Sequence, residues 1–306
     1  GLYGSSGTPF SFVNQVQSFG GNASAGPGTI YIENLISDDP YNGTLIIDNN
    51  GNGNNYAGLP IGEYEFKNII LNNKGNLKSL GIGTGCTDTS YYTKEDCESN
   101  EEMWNGGGTI KIDNNTISTD ESMPKFAIEG SLLTPYELNI EGYELQLLGD
   151  YPELKDINIG QSKNAKLSIY EHTWLHNNPN KYNSFNNVNV YGFGEILVTF
   201  HNFVPAHEVT PKVFFNNLTL NEGSFVLIDG YWNTNSDWSD DYGIELNIEE
   251  NLLILNDSYI TASGKGFNGG RNSIKGPGGG TGGASHGGYG NYKEGIQSTG
   301  NPYGDI

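Results

Sequence analysis

The sequence predicts an all-β protein, a right-handed parallel β-helix (β-solenoid), on three observations. Apolar residues alternate in short runs from about residue 30 to residue 263, each run bounded by Gly, Asn or Asp. Runs of period two and this length are strands. No stretch of 11 residues carries an i, i+3, i+4, i+7 apolar stripe, so almost no helix is expected. The strands also repeat at a spacing near 30 residues, which is the signature of a solenoid.

In chain order the alternating runs are "TIYIEN" from Thr29, "TLIIDN" from Thr44, "YEFKNIILN" from Tyr64, "TIKIDN" from Thr109, "KFAIEG" from Lys125 and "YELNIEGYELQLLG" from Tyr136. The repeat appears when "FKNIIL" at Phe66, "LKDINI" at Leu154, "FNNVNV" at Phe185, "FNNLTL" at Phe215 and "EENLLI" at Glu249 are aligned. The last four start 31, 30 and 34 residues apart, and 88 residues separate Phe66 from Leu154, close to three such steps. A second strand follows several copies, as in "GEILVTF", "GSFVLIDG" and "DSYITASG". Ile69, Ile157, Val188, Leu218 and Leu253 are expected to point into one core, with Asn and Gly at the bends.

One turn of such a coil buries only a few aliphatic side chains, at roughly 1.5–3 kcal/mol each. Ordering its backbone costs about 1–2 kcal/mol per residue. Each turn therefore depends on its neighbours for core and for backbone partners. The competing architecture is a pair of Greek-key sandwiches, which also show short alternating strands but need hairpin turns every 8–12 residues. Only some junctions here offer them.

Charge narrows the partners. Fifteen Lys and Arg stand against 36 Asp and Glu, a formal net charge of -21, and Arg271 is the only arginine. Such a surface repels phosphate backbones and anionic lipid, so neither nucleic acid nor a membrane surface is an expected partner. No run of about 18 apolar residues is present to span a bilayer. The chain opens at Gly1 without a basic, apolar leader, which reads as a mature or excerpted sequence.

The two cysteines, Cys86 and Cys97, bracket "TDTSYYTKED". As a disulfide they would close a small loop for about 2–3 kcal/mol in the chain-entropy model; the alternative is two unrelated thiols. The run "CTDTSYYTKEDCESNEEMW" resembles the small Cys-x10-Cys…Trp inserts of secreted microbial repeat proteins, and that resemblance implies a disulfide-clasped surface loop over 86–104. N-x-S/T sequons at Asn22, Asn42, Asn114, Asn217 and Asn256 suit a glycosylated extracellular protein, although an Asn-rich chain produces several by chance.

Toward the C-terminal end, "SYITASGKGFNGG", "GPGGGTGGASHGGYG" and "GNPYGD" resemble a large group of glycine-rich extracellular surface proteins. In that group a strand ending I-x-A-x-G runs into a Gly-rich segment with A-S-H-G-G and then Y-G-D. The resemblance covers about Ser258 to Asp305, and the preceding coils only in style. It implies β-helical units repeated along giant chains, with the Gly-rich segment wound as an ordered wrap and His286 a hydrogen-bonded structural residue. A disordered linker is the alternative. In the same pattern "LYGSSGTPF" reads as the continuation after Y-G-D, with Tyr3, Gly4 and Ser5 in the place of Tyr303, Gly304 and Asp305. The expected organisation is then a Gly/Ser-rich bridge over 1–29, coils over 30–263, and a glycine-rich segment over 264–306 leading to the next unit. Tyr3, Gly4, Ser5, Pro302, Tyr303, Gly304 and Asp305 are the expected inter-unit contacts.

Catalysis has a thin basis. Polygalacturonase-like enzymes combine N-x-D, D-D, G-H-G and R-x-K to supply paired carboxylates and cationic sugar clamps. Asp240-Asp241 and Ser285-His286-Gly287 occur here, but Arg271 and Lys275 precede the histidine and the order is wrong. Pectate-lyase-like chemistry needs a calcium carboxylate cluster and a cationic base, and one arginine gives it little. His172 and His176 would share a face only on a helix, which "EHTWLHNNPN" is not, and His207-Glu208 is a loop pair, so zinc is not expected. Asp237, Asp240 and Asp241 are candidates for weak calcium binding from a surface turn, though they lack the order of a calcium loop and most such clusters are simply solvated. Tyr231, Trp232 and Trp238 suit sugar stacking or the covering of an adjacent coil.

The resulting expectation is a non-enzymatic extracellular structural or adhesive unit of a filament or surface stalk, with no resident cofactor. Its partners would be copies of itself, with surface polysaccharide a further candidate. The alternative is a secreted β-helix that binds or cleaves polysaccharide.

Overall fold

The computed structural model describes residues 18, 26–32, 43–60, 62–79, 85–86, 104–105, 109–118, 122–128, 131–133, 137–148, 154, 156–171, 183–200, 212–229 and 244–262. The described residues form strands and no helix, and nearly all strand pairing is parallel. An antiparallel Greek-key sandwich does not pair this way.

Strands are numbered in chain order. Eight form one all-parallel sheet: β3 (Tyr56–Leu59), β5 (Asn76–Ser79), β9 (Lys125–Ile128), β12 (Glu144–Leu147), β14 (Ala165–Glu171), β16 (Gly194–Phe200), β18 (Phe225–Asp229) and β20 (Tyr259–Thr261), adjacent in that order. A second sheet holds β1 (Gly28–Ile32), β2 (Thr44–Asp48), β4 (Glu63–Asn72), β8 (Thr109–Ser118) and β10 (Ser131–Leu133). A third holds β11 (Leu138–Ile140), β13 (Asp156–Ile159), β15 (Asn183–Val190), β17 (Lys212–Leu220) and β19 (Glu245–Ile254), all parallel. From β11 onward the chain alternates between the third sheet and the eight-stranded sheet, so strands adjacent in a sheet are two apart in sequence. The short strands β6 (Gly85–Cys86) and β7 (Trp104–Asn105) pair with each other, antiparallel.

Parallel register turns the sequence repeat into columns. Leu138, Ile157, Val188 and Leu218 are successive partners, as are Ile140, Ile159, Val190 and Leu220, and all eight are buried. Facing them, Phe126, Leu145, Leu167, Ile196 and Val226 form a column in the eight-stranded sheet. These side chains belong to a single hydrophobic core. At roughly 1.5–3 kcal/mol per buried aliphatic, these columns are the main stabilising term.

Strict alternation fails at one recurring place. In β15, Phe185 is buried, Asn186 is exposed, Asn187 is half-buried and Val188 is buried again, so two consecutive residues face outward. Phe66-Lys67-Asn68-Ile69 in β4 and Phe215-Asn216-Asn217-Leu218 in β17 repeat the pattern. The β4–β8 and β17–β19 registers both shift there. In β4 and β17 the break in alternation thus coincides with a register irregularity.

Two features differ from expectation. β1 pairs antiparallel with β2, so the first strand does not continue the parallel stack; alternation reports which face a residue occupies and carries no information on strand direction. Leu253 is 49% exposed and does not share the core column. The alignment of "EENLLI" from Glu249 on "FNNLTL" from Phe215 itself sets Leu252 against Leu218, and the register agrees, pairing Leu218 with Leu252 and Thr219 with Leu253, so Leu253 is one residue off the column. A one-residue slip moves a side chain to the opposite face. Ile69 is fully buried as expected, but it lies in the sheet of β2, β4 and β8, beside Leu45 and Thr116.

Among the described turns, the one at Gly160 is tight. Gly160 has φ +71, and a Cβ built there would lie 2.3 Å from the backbone nitrogen of Gly194 in the next layer. Only glycine fits both the left-handed backbone and that approach. The preceding turn supports the same segment: the Glu141 carboxylate accepts the backbone N–H groups of Gln161 at 2.5 Å, Ser162 at 3.1 Å and Lys163 at 2.8 Å.

Candidate functional site

Three places on the described structure stand apart from ordinary core and solvated surface. The first is the end of the stack formed by β19 and β20. Leu252 and Ile254 continue the two core columns, yet they are 47% and 42% exposed. Leu255 and Tyr259 are exposed beside them, and Tyr259 stacks on Phe225 at 5.5 Å. Among the described residues, β19 and β20 are also the terminal strands of their sheets, each with one unpaired edge.

The second is the outer face of the third sheet, where polar side chains form two columns. One contains Asp156, Asn187, Asn217 and Asn251, with Glu137, immediately before Leu138, in line at its start. The other contains Asn139, Asn158, Asn189 and Thr219. In the first, every amide donates toward the earlier layer: Asn251 Nδ2 to Asn217 Oδ1 at 2.7 Å, Asn217 Nδ2 to Asn187 Oδ1 at 3.0 Å, and Asn187 Nδ2 to Asp156 Oδ1 at 2.7 Å. In the second, Asn189 donates to Asn158 and Asn158 to Asn139, both at 3.0 Å. A parallel corner row runs from Asn216 to Asn186 at 3.0 Å and on to Asp156 at 3.3 Å. Asp156 is therefore an anionic terminus on which two amide rows converge, and hydrogen bonds to a charged acceptor are the stronger kind. Between the two columns lies a trough of about 350 Å³.

The third is a polar chain on the outer face of the eight-stranded sheet. Tyr56 Oη donates to Gln146 Oε1 at 3.2 Å, Gln146 Nε2 donates to Glu144 Oε1 at 2.9 Å, and Ser168 Oγ donates to the same oxygen at 2.7 Å. Lys125 Nζ lies 3.7 Å from Glu144 Oε2. Alternation places Glu144, Gln146 and Ser168 outward, yet all three are buried. Burial, and then the Glu144 charge, push the Tyr56 hydroxyl up to about 12; the same two causes raise Tyr170. Beyond this cluster the face carries the Lys166–Glu195 ion pair at 2.6 Å. With Glu144 9% exposed and Ser168 fully buried, the cluster is enclosed, and it reads as a polar lock across strands, not as a carboxylate presented to substrate.

Of the residues singled out in the sequence, Asn217 and Asn256 are fully described. Asn217 Nδ2 is engaged by Asn187 and by Glu250, the latter at 3.2 Å. Asn256 is exposed on the turn between β19 and β20. Asn114 lies in β8, and Cys86 lies in β6 opposite Trp104. Cys97, the sequons Asn22 and Asn42, the acidic Asp237, Asp240 and Asp241, and the contacts Tyr3, Gly4, Ser5, Pro302, Tyr303, Gly304 and Asp305 lie outside the described residues. So do His172, His176, His207, Arg271, Lys275, His286 and the aromatics Tyr231, Trp232 and Trp238. Among the described residues no group of three or more His, Cys, Asp and Glu is placed to hold a metal ion, and no helix is long and apolar enough to cross a membrane.

Sequence reasoning placed asparagine at the bends but missed the outer columns. The signal was present: the N-N-V-N and N-N-L-T motifs of β15 and β17 recur one repeat apart, and parallel stacking converts recurrence into contact. Compared with protein-family models, curated proteins and solved structures, the chain matches none.

Proposed function

We propose that this chain is an extracellular structural unit: a right-handed parallel β-solenoid that is not an enzyme, needs no cofactor, and assembles end to end with copies of itself into a filament or surface stalk. The strand order supports the solenoid, since from β11 onward alternate strands return to the same sheet, paired in parallel. The observation that carries the assembly reading is the last layer, where Leu252 and Ile254 occupy core columns and stand about half exposed beside unpaired strand edges. Open ends of this kind attract further strands, and a contact that does not close on itself propagates.

The segment from Cys86 to Trp104 is a surface insert in this reading, held at its base by β6 and β7 and clasped by a Cys86–Cys97 disulfide. Non-reducing peptide mapping should recover the two cysteines in one linked pair. The direct test of function is the form of the native material. Electron microscopy and sedimentation should show filaments or longitudinal oligomers; a monodisperse monomer at physiological salt and high concentration would overturn the assembly reading.

A further inference from the structure

We propose that the trough on the outer face of the third sheet is a glycan-binding site whose ligand is an extended, non-acidic polysaccharide, with preference for one that bears amines. This inference rests on the strand register and is independent of the end-to-end assembly.

The trough runs between the two columns, with Glu137, Asp156, Asn187 and Asn217 on one side and Asn189 and Thr219 on the other. Val188 also lines it, and because that side chain is buried, the floor there is backbone. Neutral amides and a hydroxyl dominate the lining, and no lysine or arginine contributes to it.

Ladder bonding leaves these groups with spare capacity. An Asn side chain has two N–H donors and two acceptor lone pairs. Asn187 donates once to Asp156 and accepts once from Asn217, which leaves one N–H and one lone pair. Asn189 donates once to Asn158, which leaves one N–H and its carbonyl oxygen. Thr219 adds a hydroxyl that both donates and accepts. The paired unused donors and acceptors recur at the strand spacing of about 4.8 Å. Such an array matches a ligand that offers hydroxyl pairs along an extended chain, and no single small molecule would engage its length.

Charge then selects among glycans. Glu137 and Asp156 sit in adjacent layers at one end of the trough, with no cation beside them in its lining. On a chain of net charge -21, uronate, sulfate and phosphate groups are repelled, whereas an ammonium group is attracted. A cationic peptide would meet the same charge, but Asp156, Asn187, Asn189, Asn217 and Thr219 lie on β13, β15 and β17, each paired on both sides, so that part of the trough offers no free strand edge for backbone pairing.

The test uses the full chain in calorimetric titrations with a glucosamine oligomer, a cello-oligosaccharide, an oligogalacturonate and oligolysine. The glucosamine oligomer should bind with saturation, the neutral oligomer more weakly, and the oligogalacturonate not at all. Thr219→Arg, which fills the trough and adds a cation, should abolish binding with the melting temperature preserved. Glu137→Gln, at an exposed position, should reduce the preference for the glucosamine oligomer by about two- to five-fold, the scale of an exposed charge pair. The inference is overturned if neither non-acidic oligomer binds, if oligogalacturonate binds as well, if oligolysine alone binds, or if T219R binds like the parent chain. A chain that binds the glucosamine oligomer as a monomer would keep this inference and remove the filament reading.

Discussion

Leu218 and Leu252 are register partners in one core column, yet Leu218 is fully buried and Leu252 is 47% exposed. Chemistry does not separate them, since both are leucines on paired parallel strands. Position does: β17 has a strand on each side, whereas β19 has one only on the side of β17 among the described residues. The same contrast separates Leu220 from Ile254.

Replacing both end residues, Leu252→Glu with Ile254→Glu, should suppress longitudinal assembly and leave the melting temperature nearly unchanged, because half-exposed carboxylates remain hydrated. The interior equivalent, Leu218→Glu, should cost several kcal/mol, since it buries a carboxylate with no partner. Sedimentation and thermal melting separate the two outcomes. Salt adds a directional check: at net charge -21 the copies repel one another, so screening should promote association through an apolar end. Dissociation by added salt would point to an ionic joint instead.

The amide ladder gives a prediction for the outer face. Asn187→Ala removes the 2.7 Å bond to Asp156 and the acceptor for Asn217 Nδ2. Both partners are part-exposed and regain water, so the expected loss is about 1–2 kcal/mol, near the usual net worth of such bonds. Asn187→Asp restores an acceptor for Asn217 but sets a second carboxylate against Asp156. It should cost more than the alanine variant at low ionic strength, and added salt should relieve the repulsion between the two carboxylates. Urea unfolding of the two variants at low and high salt measures this difference.

Tyr56 sets an alkaline limit. Burial and Glu144 push its hydroxyl up to about 12, against an ordinary value of 10.0. A group whose folded value is raised binds its proton more tightly in the folded state. Its contribution is therefore complete below pH 10 and declines as the pH rises through 10 to about 12. Tyr170 is raised for the same reasons and adds in the same direction. Tyr56→Phe should lower stability at neutral pH by about 1 kcal/mol through loss of the Gln146 bond. It should also flatten the alkaline decline. Urea midpoints taken from neutral to alkaline pH test both effects.

Much of the fold was legible because parallel stacking makes a sequence repeat into a spatial one. The alignment that set "LKDINI", "FNNVNV" and "FNNLTL" together placed Ile157, Val188 and Leu218 in one column, and they occupy it. The same alignment, with "EENLLI" from Glu249, sets Leu252 beside Leu218 as the register has it; Leu253 is one residue off that column, in a run, Leu252-Leu253-Ile254-Leu255, with no polar residue to mark the outer face. The polar chain through Glu144 was hidden differently: "YELQL" alternates as an ordinary half-buried strand, and nothing local in it says that its outer face is covered. Pairing direction at β1 was equally absent from the pattern.

The two fully described sequons, Asn217 and Asn256, are alike as motifs and opposite in structure. Asn217 Nδ2 donates to Asn187 Oδ1 at 3.0 Å and to Glu250 Oε2 at 3.2 Å. An N-linked glycan replaces one amide hydrogen and adds bulk where β15 and β19 flank the side chain, so it would break the ladder. Asn256 is exposed on a turn whose next residue, Asp257, has φ 60, and its side chain stands outside the ladder columns. Folded protein secreted from a glycosylating host should therefore carry glycan at Asn256 and not at Asn217. Peptide mass mapping before and after enzymatic deglycosylation reads each site separately. A glycan on Asn217 in folded material would contradict the strand register of β15, β17 and β19, and with it the column that forms one wall of the trough.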